Sequence, residues 1–197
     1  MKAYKMVRKG KDGKFYPLFV NANEPFVVGK WMEAESGPRL ENGKVKSKLG
    51  GLAYRPGFHC SAIPYAKHIG KKGPSGNIEW FYPDVYWAEV EVSDDIDYQP
   101  EADRNGYNPR TGRFNPRDAD LDHIPENGYY RYKTNPNMEG EWVIAGGMKV
   151  NRILDDEEVR ELCAQHGYTP LPRYPSKSRR SKGLFFTLLE RFRRKAY

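Results

Sequence analysis

The segment from Val85 to Val92, VYWAEVEV, constrains the fold of this chain more than any other segment. Its side chains alternate between two sets, with Tyr86, Ala88, Val90 and Val92 on one side and Trp87, Glu89 and Glu91 on the other. A period of two predicts a β-strand. Because the backbone N–H and C=O groups of a strand need partners, the segment also predicts that other parts of the chain join it in a sheet.

Strand patterns recur in several other places. Tyr4–Arg8 and Phe15–Val20 flank a turn rich in Gly and Lys, and Pro17 favours an edge position for the second of these strands. The segment Gly128–Lys133 (GYYRYK) predicts a further strand. The segment Trp142–Leu154 (WVIAGGMKVNRIL) predicts two strands around its central glycine pair, or one bent strand.

Helix signals are few and short. Asp155 is a good N-cap for a helix over Asp156–Gln165, whose acidic first turn suits the positive end of the helix dipole. Pro64–Ile69 begins with proline and predicts a single helical turn. Together these patterns predict an α+β fold with strand-rich mixed or antiparallel sheets and few short helices.

The connections and the domain boundary follow from composition. Residues 36–51 hold four glycines and a proline and predict a loop, with a short hairpin around Asn42-Gly43. Residues 93–127 are polar and predict a long surface excursion. We expect one α+β domain over residues 1–172, followed by a basic linker and a basic amphipathic helix over residues 173–197.

The net charge of +7 belongs to the C-terminal region. Residues 173–197 hold nine basic side chains and one acidic side chain, whereas the rest of the chain holds 24 basic and 25 acidic ones. At helical spacing, one face of the last segment is apolar and consists of Leu184, Phe185, Leu188, Leu189 and Phe192. Such a helix packs on its own domain, docks on a protein partner, or touches nucleic acid or an anionic membrane. Residues 173–197 therefore predict a docking region for a protein partner or nucleic acid.

Other sequence features concern the compartment. No run of about 18 apolar residues is present, and no apolar stretch follows the charged N-terminal residues, so we expect neither a transmembrane helix nor a secretory signal. Cys60 and Cys163 lie far apart and outside any C-x-x-C pattern, which favours reduced thiols over a disulfide or a structural zinc site. These features predict a cytoplasmic protein.

The segment around His59 is the first candidate for chemistry. Arg55, His59, Ser61 and His68 lie within fourteen residues, beside glycine and proline that shape a tight backbone. An arginine and a histidine at one strand end could hold a phosphate or a ribose. Alternatively, His59 is satisfied by backbone bonds in a loop. A metal site from His59, Cys60 and His68 fits no standard spacing, so no metal is expected.

Carboxylates supply two further candidate functional sites. Glu89 and Glu91 share a strand face after Pro83-Asp84, an order that resembles the P-D…E-x-K motif of metal-dependent nucleases, but Glu91 stands where that motif has its lysine. The alternative is a solvated strand face. Glu141 immediately precedes an apolar strand, where it is either a surface residue or, in a cleft, a partner for a ribose hydroxyl or a developing cation.

Six segments carry a resemblance to known proteins: KFYPLFV, GKW, LAYRPGFHCSAIPYAKHIG, VYWAEVEV, NGYYRYKTN and EWVIAGGMKVNRIL. Over residues 4–172 the chain resembles an uncharacterised domain family in large proteins of bacterial phages and mobile elements. The resemblance implies a protein of the host cytoplasm, or of the virion if it is phage-encoded.

The order of elements also resembles the ADP-ribosyltransferase fold. By that resemblance His59 and Glu141 would be catalytic, with Arg55, His59, Tyr129 and Tyr130 binding NAD. Glu141 would bond the ribose and stabilise its oxocarbenium-like transition state as nicotinamide leaves. The sequence thus leaves two functional hypotheses, an NAD-dependent ADP-ribosyltransferase-like enzyme and a non-enzymatic binding or virion-assembly protein that docks through its C-terminal helix.

Overall fold

The strand predicted over Val85–Val92 is present with those bounds and lies inside a nine-stranded sheet of the computed structural model. The structure describes residues 1–37, 39, 41, 44–47, 50–133 and 138–175, with backbone only for 44–47 and 50–52. The predicted C-terminal helix lies outside the described residues. The strands are β1 (Lys2–Lys9), β2 (Phe15–Pro17), β3 (Trp31–Glu33), β4 (Lys44–Ser47), β5 (Gly50–Ala53), β6 (Phe58–Ser61), β7 (Lys71–Lys72), β8 (Ile78–Trp80), β9 (Val85–Val92), β10 (Ile96–Asp97), β11 (Gly128–Arg131), β12 (Trp142–Ala145) and β13 (Gly147–Ile153). The helices among these residues are α1 (Gln99–Gly106) and α2 (Asp156–Gln165).

The main sheet is mixed. Its strand order is β10-β11-β12-β6-β1-β9-β13-β3, and β2 pairs with β1 beside this path. The β10–β11 pair is parallel and the other pairs of this sheet are antiparallel. With two short helices among the described residues, this architecture confirms the α+β prediction.

The two faces of the sheet bury different sets of side chains. One face forms the larger cluster, which includes the fully buried residues Val7, Phe58, Val90, Val92 and Met148. The opposite face forms a smaller cluster of Ala102, Leu121, Tyr130 and Ile144. In β9 the alternation predicted from the sequence places Ala88, Val90 and Val92 in the larger cluster, while Val85 and Trp87 are buried on the other face of the strand.

Helix α2 begins where the sequence predicts. The Asp155 carboxylate accepts from the N–H groups of Glu157 and Glu158, and the Glu158 carboxylate accepts from the Asp155 N–H at 2.9 Å, which completes a capping box. The helix buries Val159 and Cys163. The Cys163 thiol lies 3.5 Å from the carbonyl oxygen of Pro64, beside the segment that follows β6.

The helical turn predicted after β6 is wrong. Residues 64–69 form no helical turn, because Ser61 Oγ and the Tyr65 N–H both bond the Ile63 carbonyl and hold an irregular buried turn. The loop predicted over residues 36–51 contains β4, which pairs with β5 so that Ser47 lies opposite Gly50. The hairpin turn predicted at Asn42-Gly43 lies outside the described residues.

The polar stretch 93–127 is also more than a surface excursion. It contains α1, a helix that begins at Gln99-Pro100 and buries Ala102. Further along, Leu121 is only 1% exposed and packs in the smaller cluster with Tyr130. The sparse apolar residues of this stretch thus cover one face of the sheet.

The chain forms two compact units. The first comprises Met1–His68 and Asp84–Pro170, and holds the main sheet and both helices. The second comprises Ile69–Pro83 and the chain from Leu171 onward. Its described part contains the β7–β8 hairpin, beside which the Phe81 N–H bonds the Pro172 carbonyl at 2.9 Å and the Tyr174 N–H bonds the Phe81 carbonyl at 2.8 Å.

Across the residues that the structure describes, no helix is long and apolar enough to cross a membrane.

Candidate functional site

His59 lies in the second position of β6 and is held from both sides. Its Nδ1 lies 2.7 Å from the Tyr132 hydroxyl, and its Nε2 lies 3.0 Å from the carbonyl oxygen of Arg55. Because a carbonyl only accepts, Nε2 carries the proton and Nδ1 accepts from Tyr132. Burial lowers the pKa of His59 to about 4. The imidazole is therefore neutral at pH 7, with both nitrogens engaged by the protein.

Arg55 and Tyr130 belong to the same buried surroundings. The Arg55 guanidinium pairs with Asp120 at 2.8 Å and also donates to the Arg117 carbonyl at 3.2 Å. The Leu121 N–H lies 3.4 Å from the Tyr130 hydroxyl, and burial raises the pKa of that phenol. Burial also raises the pKa of Asp120, although Arg55 opposes this effect. These contacts tie residues 117–121 to the sheet, which is a structural role.

Glu141 and Tyr129 lie on the other face of the sheet. Glu141 is 53% exposed and pairs with the Arg131 guanidinium at 3.3 Å. Arg131 also donates to the Tyr129 hydroxyl at 3.2 Å and lies 3.8 Å from Asp97. Within β11 and β12, Arg131 opposes Val143, whose side chain belongs to the larger cluster. Glu141 is thus a surface carboxylate with a cationic partner.

The residues predicted to form one NAD site therefore fall into two groups. Arg55, His59 and Tyr130 lie on one side of the sheet, whereas Tyr129 and Glu141 lie on the other. The cause is strand alternation, since His59 opposes Ile144 in β12 and Glu141 lies three residues before Ile144. The sequence alone did not reveal the register of β6 against β12, so these five residues were compatible with a single NAD site. The transferase hypothesis stays a prediction.

The carboxylates of the nuclease alternative are engaged by cations of the protein. Glu89 pairs with Lys2 at 3.0 Å and with Arg152 at 3.2 Å, and Lys149 pairs with Glu91, so both carboxylates have cationic partners. Across the described residues, no group of three or more His, Cys, Asp or Glu side chains is placed to hold a metal ion.

His59, Cys60 and His68, the set that fits no standard metal spacing, do not come together in the structure. Cys60 follows His59 in the strand and packs in the larger cluster on the opposite face, where burial raises the pKa of its thiol to about 11. His68 makes an edge contact with the Trp142 ring at 5.4 Å between centroids.

No protein-family model matches the chain, and neither a curated protein nor a solved structure is significantly similar to it.

The second unit holds a different kind of cluster, which we name the basic aromatic hairpin: Lys71, Trp80, Phe81, Arg173 and Tyr174. The Lys71 ammonium lies 4.0 Å from the centroid of the Tyr174 ring, and the Arg173 guanidinium lies 5.8 Å from that of Phe81. The rings of Trp80 and Tyr174 meet edge to face at 5.4 Å. Such alternation of cations and aromatic rings is typical of surfaces that bind nucleic acid.

Sequence reasoning missed this cluster because its members lie about ninety positions apart. Arg173 donates to the carbonyl oxygens of Tyr82 and Pro83 at 3.2 and 3.3 Å, which joins the two chain segments. Two signals were nevertheless present in the sequence. The pair Lys71-Lys72 precedes the aromatic run Trp80-Phe81-Tyr82, and Arg173-Tyr174 begins the basic region.

Proposed function

We propose that this protein binds nucleic acid through its second unit and that the first unit is a structural carrier. The observation that carries the proposal is the division of charge between the two units. Residues 69–83 and 171–197 together hold eleven basic and two acidic side chains, a net charge of +9, whereas the first unit holds 22 basic and 24 acidic ones, a net charge of −2. A basic segment of this density attracts the phosphate backbone.

The acidic first unit supports this division of roles. Several of its cations already have carboxylate partners, including Lys2, Lys149 and Arg152. Among the described residues of the second unit, Glu79 is the one carboxylate, and its side chain accepts from Ser75 Oγ at 2.7 Å. The cations from Lys177 onward far outnumber the single Glu190 in the sequence that surrounds them.

The resemblance to phage and mobile-element domains supports the same proposal, because such elements package and move nucleic acid. In that setting the protein acts in the host cytoplasm or in the virion. The competing hypothesis is that residues 173–197 bind a protein partner, and a direct measurement of nucleic-acid binding distinguishes the two hypotheses.

The experiment compares two variants of the full chain with equal changes of charge. One variant replaces four cations of the second unit with glutamine: Lys177, Arg179, Arg180 and Lys182. The control replaces four exposed lysines of the first unit with glutamine: Lys11, Lys14, Lys30 and Lys67. Binding of a fluorescent duplex of mixed sequence is measured by anisotropy as a function of salt.

Each phosphate contact contributes about 0.9 to the slope of log affinity against log salt. If all four cations contact phosphates, the first variant lowers the magnitude of that slope by roughly 3 to 4 relative to the wild type, and the control leaves it unchanged. Equal effects of the two variants would contradict the proposal, because they would show a nonspecific response to net charge.

A further inference from the structure

The basic aromatic hairpin presents rings as well as charge. Lys71 and Trp80 are direct partners across β7 and β8, so their side chains lie side by side on one face of the hairpin. Tyr174 joins this face through its contacts with both Lys71 and Trp80. One face of the second unit therefore combines two aromatic rings with a cation.

These rings are only partly covered. Phe81 is buried, whereas Trp80 and Tyr174 are half-buried. The hairpin turn at residues 74–77 is exposed beside them, and Lys72 is exposed as well. A tryptophan that served only to fill the interior would have the burial of Phe81.

We propose that Trp80 and Tyr174 form a stacking site for the bases of a single-stranded nucleic acid, with Lys71 and Lys72 facing its phosphates. This inference rests on the proposed function and adds the form of nucleic acid that the second unit prefers. Every base offers an aromatic face for stacking, but in a duplex those faces are covered by neighbouring bases. A partly exposed aromatic ring beside cations therefore favours single strands, and it does so with little dependence on sequence.

The test measures anisotropy of a labelled oligothymidine of about 20 nucleotides, longer than the footprint of most single-strand-binding domains, and of a labelled duplex of equal length. The full chain is compared with Trp80→Leu, which removes the aromatic ring, and with Trp80→Phe, which keeps one. The control is Trp31→Leu, since Trp31 is 49% exposed in the first unit and also lies beside a lysine, with Lys149 Nζ 5.3 Å from its ring centroid.

Loss of one base–aromatic stack lowers single-strand affinity by roughly 5- to 100-fold. We expect this loss for Trp80→Leu, most of the affinity to remain for Trp80→Phe, and no change for Trp31→Leu. The slope of log affinity against log salt stays at the wild-type value in all three, because an indole ring neutralises no phosphate. A change in protein folding would alter duplex and single-strand binding together.

Two results would overturn the inference, and they differ from failure of the proposed function. Wild-type affinity of Trp80→Leu for oligothymidine would exclude stacking on Trp80. Equal losses of duplex and single-strand affinity in Trp80→Leu would show that the ring only supports the hairpin. If the wild-type chain binds neither probe, the proposed function itself fails.

Discussion

Acid sensitivity of the first unit depends on His59. The pKa of His59 is lowered from its ordinary value of 6.5 to about 4, first by burial and then by the nearby charges of Lys5 and Arg55. As the pH falls from 6.5 to 4, the unfolded chain takes up a proton at this position and the folded chain does not. Stability is thus intact above pH 6.5 and is lost progressively as the pH falls to 4. Each pKa unit corresponds to 1.36 kcal/mol, so the loss attributable to His59 is about 3 kcal/mol.

The variant His59→Gln isolates this contribution. Its amide can donate to the Arg55 carbonyl and accept from the Tyr132 hydroxyl, but it does not titrate. In urea unfolding followed by circular dichroism, we expect His59→Gln to be less stable than the wild type at pH 7.5. We expect its free energy of unfolding to rise by about 3 kcal/mol relative to the wild type as the pH is lowered to 4.

His123 provides a matched control with the opposite sign. Both of its ring nitrogens face acceptors, the Glu101 carboxylate at 2.9 Å and the Ile124 carbonyl at 3.0 Å, and these contacts raise its pKa. The stability that it contributes is present in acid and is lost as the pH rises through its raised pKa. His123→Gln should therefore lose stability in acid relative to the wild type. Parallel pH profiles for the wild type and His59→Gln would refute the reasoning about His59.

Three further predictions concern single side chains. Lys5 is 3% exposed, its Nζ donates to the His59 carbonyl at 3.0 Å, and burial lowers its pKa. Because burial of an ammonium group is unfavourable, Lys5→Met should raise the free energy of unfolding in urea by about 1–3 kcal/mol. A decrease of similar size would contradict this prediction. Asp155→Ala removes the N-cap of α2 and should lower the same free energy by about 1 kcal/mol, whereas no change would mean that the capping box contributes nothing. The transferase hypothesis requires the full chain to release nicotinamide from NAD and Glu141→Gln to abolish that release; release that persists in Glu141→Gln, or is absent from the wild type, would exclude it.

The elements with strong local signals were predictable from the sequence. The alternation in β9 and the cap of α2 both depend on residues within a few positions of one another, and both are found as predicted. The elements that were not predicted depend instead on residues far apart in the sequence. Helix α1 has a strongly polar sequence, and its Ala102 is buried in a cluster with Leu121, Tyr130 and Ile144, which lie far along the chain. Pairing over such distances leaves little trace in local periodicity.

The candidate site shows the same limit. Arg55 and His59, grouped in one candidate from the sequence, are neighbours through the bond of the His59 imidazole to the Arg55 carbonyl, whereas the Arg55 side chain pairs with Asp120. The sequence offered no means of placing Glu141 on the other face, because the register of β6 against β12 is set by long-range packing. Nor could it join Trp80 to Tyr174, whose contact depends on how the chain after Leu171 returns to β8.

The salt dependence of nucleic-acid binding by the full chain tests the central claim most directly. The measurement is the dissociation constant for a labelled single strand and a labelled duplex between 50 and 200 mM salt. If six or more of the cations in residues 173–197 contact phosphates, affinity should fall by roughly 10³-fold or more over that range. Tight binding that is insensitive to salt, or no binding of either probe at 50 mM salt, would contradict the proposal that the second unit binds nucleic acid.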